Sequence, residues 1–206
     1  MDYIVNQCSI VILAAGGSSR LGTPKQLLHY DGKSLLRHAA YTALKTKINP
    51  IVIVVGASHL IMEKEVEETG VEIIYNQNWH DGIASSLRVG LKAVLAINPG
   101  TDGIIFMVCD QPYVTIPLLK DLLLKQHASK LPIVASDYGN DIGTPALFHK
   151  FFFTELIELK GDAGAKKLLK THRELVATVL FPNGNIDIDT VDDYQSLLAG
   201  KYSSSK

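Results

Sequence analysis

The chain has 206 residues, 47% of them hydrophobic and 20% charged, with a formal net charge of -1. That balance suits a single α/β domain with a sizeable core; it leaves no extended basic surface for nucleic acid, and no apolar run approaches the roughly 20 residues of a membrane span. Cys8 and Cys109 form no CxxC pair and the seven histidines show no HxH or HExxH spacing, which argues against a disulfide scaffold or a zinc site.

The first residues, MDYIVNQC, lack the basic and apolar regions of a secretory signal, so a cytoplasmic location is expected. Ile10-Val11-Ile12-Leu13 is a run of branched aliphatics and predicts a strand buried on both faces. It stops at Ala14-Ala15-Gly16-Gly17, a loop almost without side chains, where backbone N–H groups can approach a ligand closely. Arg20 and Lys25 then add two cations with Pro24 between them, a combination that suits a polyphosphate. The Walker pattern fails, because Gly22 is followed by Thr23 and Pro24 before Lys25, and Gly16, Gly17 and Gly22 miss the dinucleotide spacing. An ordinary strand-to-helix turn with exposed basic residues is the plain alternative.

Asp31-Gly32 forms a turn, and Ser34 caps a helix to about Lys45 that turns Leu35, Leu36, Ala39, Ala40 and Ala43 inward. Ile51–Val55 is a second buried strand, followed by a charged helix over 58–68 and a strand over 71–75. Residues 76–86, NQNWHDGIASS, are polar and lead into a helix over 86–96, with Ser85 or Ser86 available as N-cap and Trp79 as a lid or interface residue. Strand Gly103–Val108 stops at Cys109-Asp110-Gln111-Pro112. Strand ends of an open parallel sheet share one edge, so Asp110 is expected beside Gly16, as a magnesium ligand or merely as the organiser of the turn before Pro112.

Thr115 caps a helix to about His127, a short strand covers 133–135, and 136–141 is a hairpin-like connection to a strand from Gly143. A helix over 150–159 follows. Gly161 as helix stop, Asp162 as N-cap and Gly164 as turn residue explain the next stretch, before a basic helix over 166–172. A strand over 176–181 and a turn at Asn183-Gly184 precede Asp187 and Asp189, which face one side of an extended segment. Thr190 with Asp193 reads as a capping box for the helix Val191–Leu198, which either explains this acidic cluster or accompanies a second carboxylate for magnesium. The alternation of strand and helix implies right-handed crossovers: a three-layer αβα sandwich with a mainly parallel, mixed central sheet. Residues 1–200 are expected to form this one domain and 201–206 a disordered tail.

Several stretches carry a resemblance. Leu13-Ala14-Ala15-Gly16, Ser19-Arg20-Leu21-Gly22 and Pro24-Lys25 resemble the signature of nucleotidyltransferases built on the GT-A-like fold, Rossmann-like and of the nucleotide-diphospho-sugar transferase type. That superfamily includes the molybdenum-cofactor cytidylyl- and guanylyltransferases, methylerythritol-phosphate cytidylyltransferase and sugar-1-phosphate nucleotidyltransferases. GIASSLRVGL resembles the segment with which its cytidylyltransferases hold the base, matching at Gly82 and Ser86. Asp110-Gln111-Pro112 fits the family's Gly-Asp-Gln-Pro, with Cys109 departing. GTPALF and GDAGAKKLL are similar to stretches bordering the acceptor in the molybdenum-cofactor branch, at Gly143, Thr144, Pro145, Gly161, Asp162 and Gly164. DIDTVDDY resembles the carboxy-terminal segment, with Asp189 at the metal-ligand position.

The resemblance implies a Mg²⁺-dependent transfer of CMP from CTP to the terminal phosphate of molybdopterin, with release of pyrophosphate. Leu13, Ala14, Ala15, Gly16, Gly17, Gly82 and Ser86 would line the nucleotide site; Arg20, Lys25 and Asp110 would be catalytic; Asp110 and Asp189 would hold the metal. Guanylyl members typically carry glycine at Ala15, which favours cytidylyl transfer. The methylerythritol-phosphate enzyme typically carries a lysine where this chain has Asp187-Ile188-Asp189. A molybdenum hydroxylase would receive the product. A sugar- or polyol-phosphate acceptor, a glycosyltransferase, and a non-catalytic maturation factor for a molybdenum hydroxylase are the alternatives.

Overall fold

The computed structural model describes residues 2–17 and 21–200; Arg20 and the tail expected at 201–206 lie outside them. Strand β1 (Cys8–Ala14) is buried along its whole length, as its unbroken aliphatic run requires. A small antiparallel pair, β2 (His29–Tyr30) and β3 (Lys33–Ser34), turns on Asp31-Gly32 and feeds α1 (Leu35–Leu44). The Ser34 hydroxyl accepts from the Arg37 N–H at 3.1 Å and so satisfies one of the donors that the start of α1 leaves open.

Two further crossovers follow, through β4 (Ile51–Val55), α2 (His59–Val66) and β5 (Glu72–Tyr75), then α3 (Ile83–Ile97), β6 (Gly103–Val108) and α4 (Ile116–Ser129). The chain continues as β7 (Ile133–Asp137), β8 (Ile142–His149), α5 (Phe153–Glu158), α6 (Ala165–Thr171), β9 (Val176–Leu180) and α7 (Val191–Leu198).

Among the described residues the main sheet has seven strands in the order β5-β4-β1-β6-β8-β7-β9. β8 runs antiparallel to both its neighbours, pairing Leu147 with Ile105 of β6 and with Val134 of β7, because the short connection from β7 permits only a hairpin. The other pairings are parallel. Side chains alternate across each strand, so Ile10 and Ile12 face one side of the sheet while Val11 and Leu13 face the other. Leu36 of α1, Met62 of α2 and Leu119 of α4 close over the first side; Leu87 of α3, Leu156 of α5 and Leu168 of α6 close over the second. A three-layer α/β sandwich results, with a mixed, largely parallel sheet. No helix among the described residues is long and apolar enough to cross a membrane.

Three local expectations are corrected. Helix α3 starts at Ile83 rather than near Ser86, since Gly82 takes φ +90°, open to a residue without a Cβ, and turns the chain early. Ser85 and Ser86 are consequently inside the helix, and the Ser85 hydroxyl donates to the Gly82 and Asn78 carbonyls instead of capping. Asp162 is not an N-cap either: α6 is preceded by Gly164, whose N–H reaches the Asp162 carbonyl at 2.9 Å.

Candidate active site

Beyond the carboxyl ends of β1 and β6, where open parallel sheets gather ligands, lies a cleft of about 360 Å³. Leu13, Ala14, Ala15, Gly16 and Gly17 form one wall; Trp79, Gly82, Ile83 and Ser86 form another; Lys25, Cys109, Asp110 and Asp162 complete it. The strand-end rule thus brings Asp110 to the glycine loop.

Lys25 joins the two carboxylates expected to meet a metal. Its Nζ contacts Asp110 Oδ2 and lies 2.6 Å from Asp189 Oδ1. Burial acts to lower the ammonium's pKa, but Asp110 and then Asp189 outweigh it, so Lys25 is held above its ordinary range and stays charged. Asp189 arrives through its neighbour: the Ile188 N–H donates to the Asp110 carbonyl at 3.1 Å, and the Ile188 side chain is buried against Leu35 and Leu197. Asp110 Oδ1 is buried without a hydrogen-bond partner. Asp187 stands at the exposed rim, where partial dehydration, then the charges of Asp110 and Asp189, push its carboxyl up to about 6.

Gln26, overlooked in the sequence, braces the loop. Fully buried, it donates from Nε2 to the carbonyls of Ala14 at 2.9 Å and Gly16 at 2.8 Å. Trp79 lies over the loop's other side: a Cβ on Gly56 would fall 2.6 Å from both the Trp79 Cβ and the Ala15 carbonyl. Ser86 is buried and accepts from Asn76 Nδ2 at 3.0 Å; the Asn78 N–H bonded to Asn76 Oδ1 fixes which end of that amide is oxygen. Cys109 is a neutral wall residue, its thiol held above the ordinary range by burial and then by Asp110.

The segments expected to border an acceptor divide into two groups. Gly143, Thr144 and Pro145 lie on β8, where Thr144 Oγ1 donates to Gln111 Oε1 at 3.3 Å and the Thr144 carbonyl accepts from the Tyr138 hydroxyl. Gln111 Nε2 also donates to the Gly184 carbonyl at 2.7 Å, tying β8 and the approach to Asp189 to the residue after Asp110. Gly161, Asp162 and Gly164 sit instead against the start of α3. The Gly161 carbonyl accepts from the Ala84 N–H at 3.1 Å, and Asp162 Oδ1 would be 2.7 Å from a Cβ on Gly82. Buried polar side chains at 26, 76 and 111 were the available signal for these braces, and nothing local in the sequence tells a brace from a surface amide.

Among the described residues no three His, Cys, Asp or Glu side chains converge as a ready-made metal cage. Two hard carboxylates with a buried, unbonded oxygen suit a magnesium-like ion that takes its other ligands from phosphates and water.

The profile of the MobA-like NTP transferase domain family matches residues 10–176. Nicotine blue oxidoreductase of Paenarthrobacter nicotinovorans is 28% identical over 200 residues, 91% of this chain and 95% of its own. The molybdenum cofactor cytidylyltransferase of Escherichia coli is 23% identical over 185 residues, 89% of this chain and 92% of its own. Rv0371c of Mycobacterium tuberculosis superposes with a TM-score of 0.82 at 32% identity, over 94% of this chain and 98% of that one. Its complex with manganese superposes with a TM-score of 0.79 at 29% identity, over 94% of this chain and 99% of that one.

Proposed function

The chain belongs to the MobA-like NTP transferase family, and from that premise we propose that it transfers CMP from CTP to the terminal phosphate of molybdopterin, releasing pyrophosphate. Family and fold make it an enzyme of the nucleotidyl-transfer type, acting on a nucleotide and a phosphorylated small molecule. The observation that carries the finer reading is the meeting of Lys25, Asp110 and Asp189 at a loop with almost no side chains.

In this reading an acceptor phosphate oxygen attacks the α-phosphorus in line, the bond to the β-phosphate oxygen breaks, and pyrophosphate departs. Such a step depends on positioning and charge neutralisation rather than on a protein nucleophile. Gln26 ties back the Ala14 and Gly16 carbonyls, leaving the loop's N–H groups for phosphate oxygens. Lys25 offers a permanent positive charge to the triphosphate and offsets charge on the leaving group. Arg20, outside the described residues, is assigned the second cation on its place in the sequence beside Lys25 and on the resemblance. Asp110 and Asp189 would hold Mg²⁺, which when bound supplies further neutralisation of phosphate charge.

CTP is favoured by Ala15, buried in the cleft wall where guanylyl relatives have glycine; one methyl discriminates by about 1–3 kcal/mol. Molybdopterin is favoured by the GTPALF and GDAGAKKLL stretches and by the E. coli relative. A redox reading comes from the name of the P. nicotinovorans protein, but the loop after β1 lacks the dinucleotide spacing.

The test is magnesium-dependent pyrophosphate release with CTP, GTP, UTP and ATP, with and without molybdopterin. Release that requires CTP and molybdopterin together is expected. Release with a sugar or polyol phosphate instead would reassign the acceptor, and NADH or NADPH consumption without release would overturn transfer.

A further inference from the structure

The two carboxylates suited to a metal already have an occupant. Lys25 Nζ contacts Asp110 Oδ2 and lies 2.6 Å from Asp189 Oδ1, with the Lys25 and Asp110 side chains only 16% and 14% exposed. A divalent cation between Asp110 and Asp189 would share those carboxylates with the ammonium, even where it also used Asp110 Oδ1, which has no hydrogen-bond partner. Entering alone, it would set a dication directly against the Lys25 ammonium in a half-dry cleft and compete with it for Asp110 and Asp189. A triphosphate changes this balance. Lys25 lines the same cleft as Gly16 and Gly17, so its side chain can turn from the carboxylates to phosphate oxygens, while Gln26 next to it keeps the backbone pinned to the loop.

We propose that the site takes up its divalent cation only as a metal–nucleotide complex, because Lys25 closes the Asp110–Asp189 pair until a triphosphate draws it away. The inference rests on the reading of those two carboxylates as the metal ligands. Lys25 then has two successive positions: a stand-in for the cation before the nucleotide arrives, and a phosphate partner afterwards. Magnesium cannot settle early in a geometry that blocks the triphosphate, and Asp110 and Asp189 are never left without a cation.

The bland alternative is a structural ion pair that clamps the 187–189 segment onto the loop. The two make opposite predictions when Lys25 is removed: a clamp that is lost loosens the carboxylates and weakens metal binding, whereas a latch that is lost opens the site and strengthens it.

Manganese is the probe, with binding read from the electron paramagnetic resonance of the free ion and referenced to protein-free Mn²⁺–CTP mixtures, because CTP itself binds Mn²⁺, on the whole chain and without acceptor. The wild-type protein should bind Mn²⁺ at least tenfold more tightly with CTP than without. Lys25→Met should bind Mn²⁺ alone at least tenfold more tightly than wild type, and the gain from CTP should shrink. Lys25→Arg keeps a cation on the carboxylates and should retain the weak nucleotide-free binding; should Lys25→Met fail to fold, Lys25→Gln, which also removes the charge, takes its place. Wild-type protein that binds Mn²⁺ equally well with and without CTP overturns the proposal, as does a folded Lys25→Met variant whose Mn²⁺ binding is unchanged or weaker. The readout needs no turnover: absence of pyrophosphate release with this metal pattern intact sinks the transfer reading alone, and normal release without the pattern sinks the latch alone.

Discussion

The cleft wall on the β1 side is backbone and small side chains, Ala14 to Gly17, braced from behind by one neighbour in sequence, Gln26. A second wall, which stands beyond Asp110 rather than in the cleft lining itself, is held differently. Gln111, Tyr138, Thr144 and Gly184 come from four separate stretches and meet through side-chain hydrogen bonds. The first kind of wall forms wherever a buried strand ends in a glycine loop, and it suits the part that nucleotides share, their phosphates. The second depends on polar partners assembled only when the sheet is complete. The change of strand direction at β8 marks the boundary between them.

The largest expected effect tests whether the two walls fold as one. Phe106 of β6 is fully buried and meets Phe148 of β8 edge-on at 6.2 Å, across that boundary. Phe106→Ala should cost about 3–5 kcal/mol, and denaturant unfolding should remain a single transition with a lower midpoint. Two separate transitions would mean the halves are independent units.

Next in size, Lys25→Ala should cost about 3 kcal/mol in transition-state stabilisation, about a hundredfold in kcat/KM for pyrophosphate release. A folded variant with near-normal turnover would remove Lys25 from the chemistry and reduce the first wall to a binding surface. Gln111→Ala strikes the second wall alone. Leaving the Gly184 carbonyl without its buried donor should cost about 1–3 kcal/mol of stability. KM for the acceptor should rise while CTP affinity, measured by calorimetry, stays put; equal losses on both would collapse the distinction.

The smallest effect belongs to the segment that carries Asp189. The Thr190 hydroxyl accepts from the Asp193 N–H at 3.1 Å, and the Asp193 carboxylate accepts from the Thr190 N–H at 2.8 Å. Thr190→Ala should cost about 1 kcal/mol, with faster amide exchange confined to α7 and no change at the glycine loop.

What the sequence determined alone was everything that short-range pattern controls. An aliphatic run reads as a buried strand, Ala15 to Gly17 as the side-chain-poor loop that ends it, and Ser34, Thr115 and Thr190 stand where helix starts need acceptors. Asp110 followed too, because strands that run parallel end at one edge. Gly82 misled in the same local terms: its positive φ moved the start of α3, and with it Ser85 and Ser86 passed from candidate caps into the helix. Tertiary structure decided the rest. Lys25 and Asp189 are 164 positions apart, and only the burial of Ile188 beside Leu35, with its N–H on the Asp110 carbonyl, brings them to 2.6 Å. Hydrogen bonds and ion pairs act over about 3 Å, whereas sequence spacing constrains geometry only within one element, so a contact between elements is settled by how the elements pack.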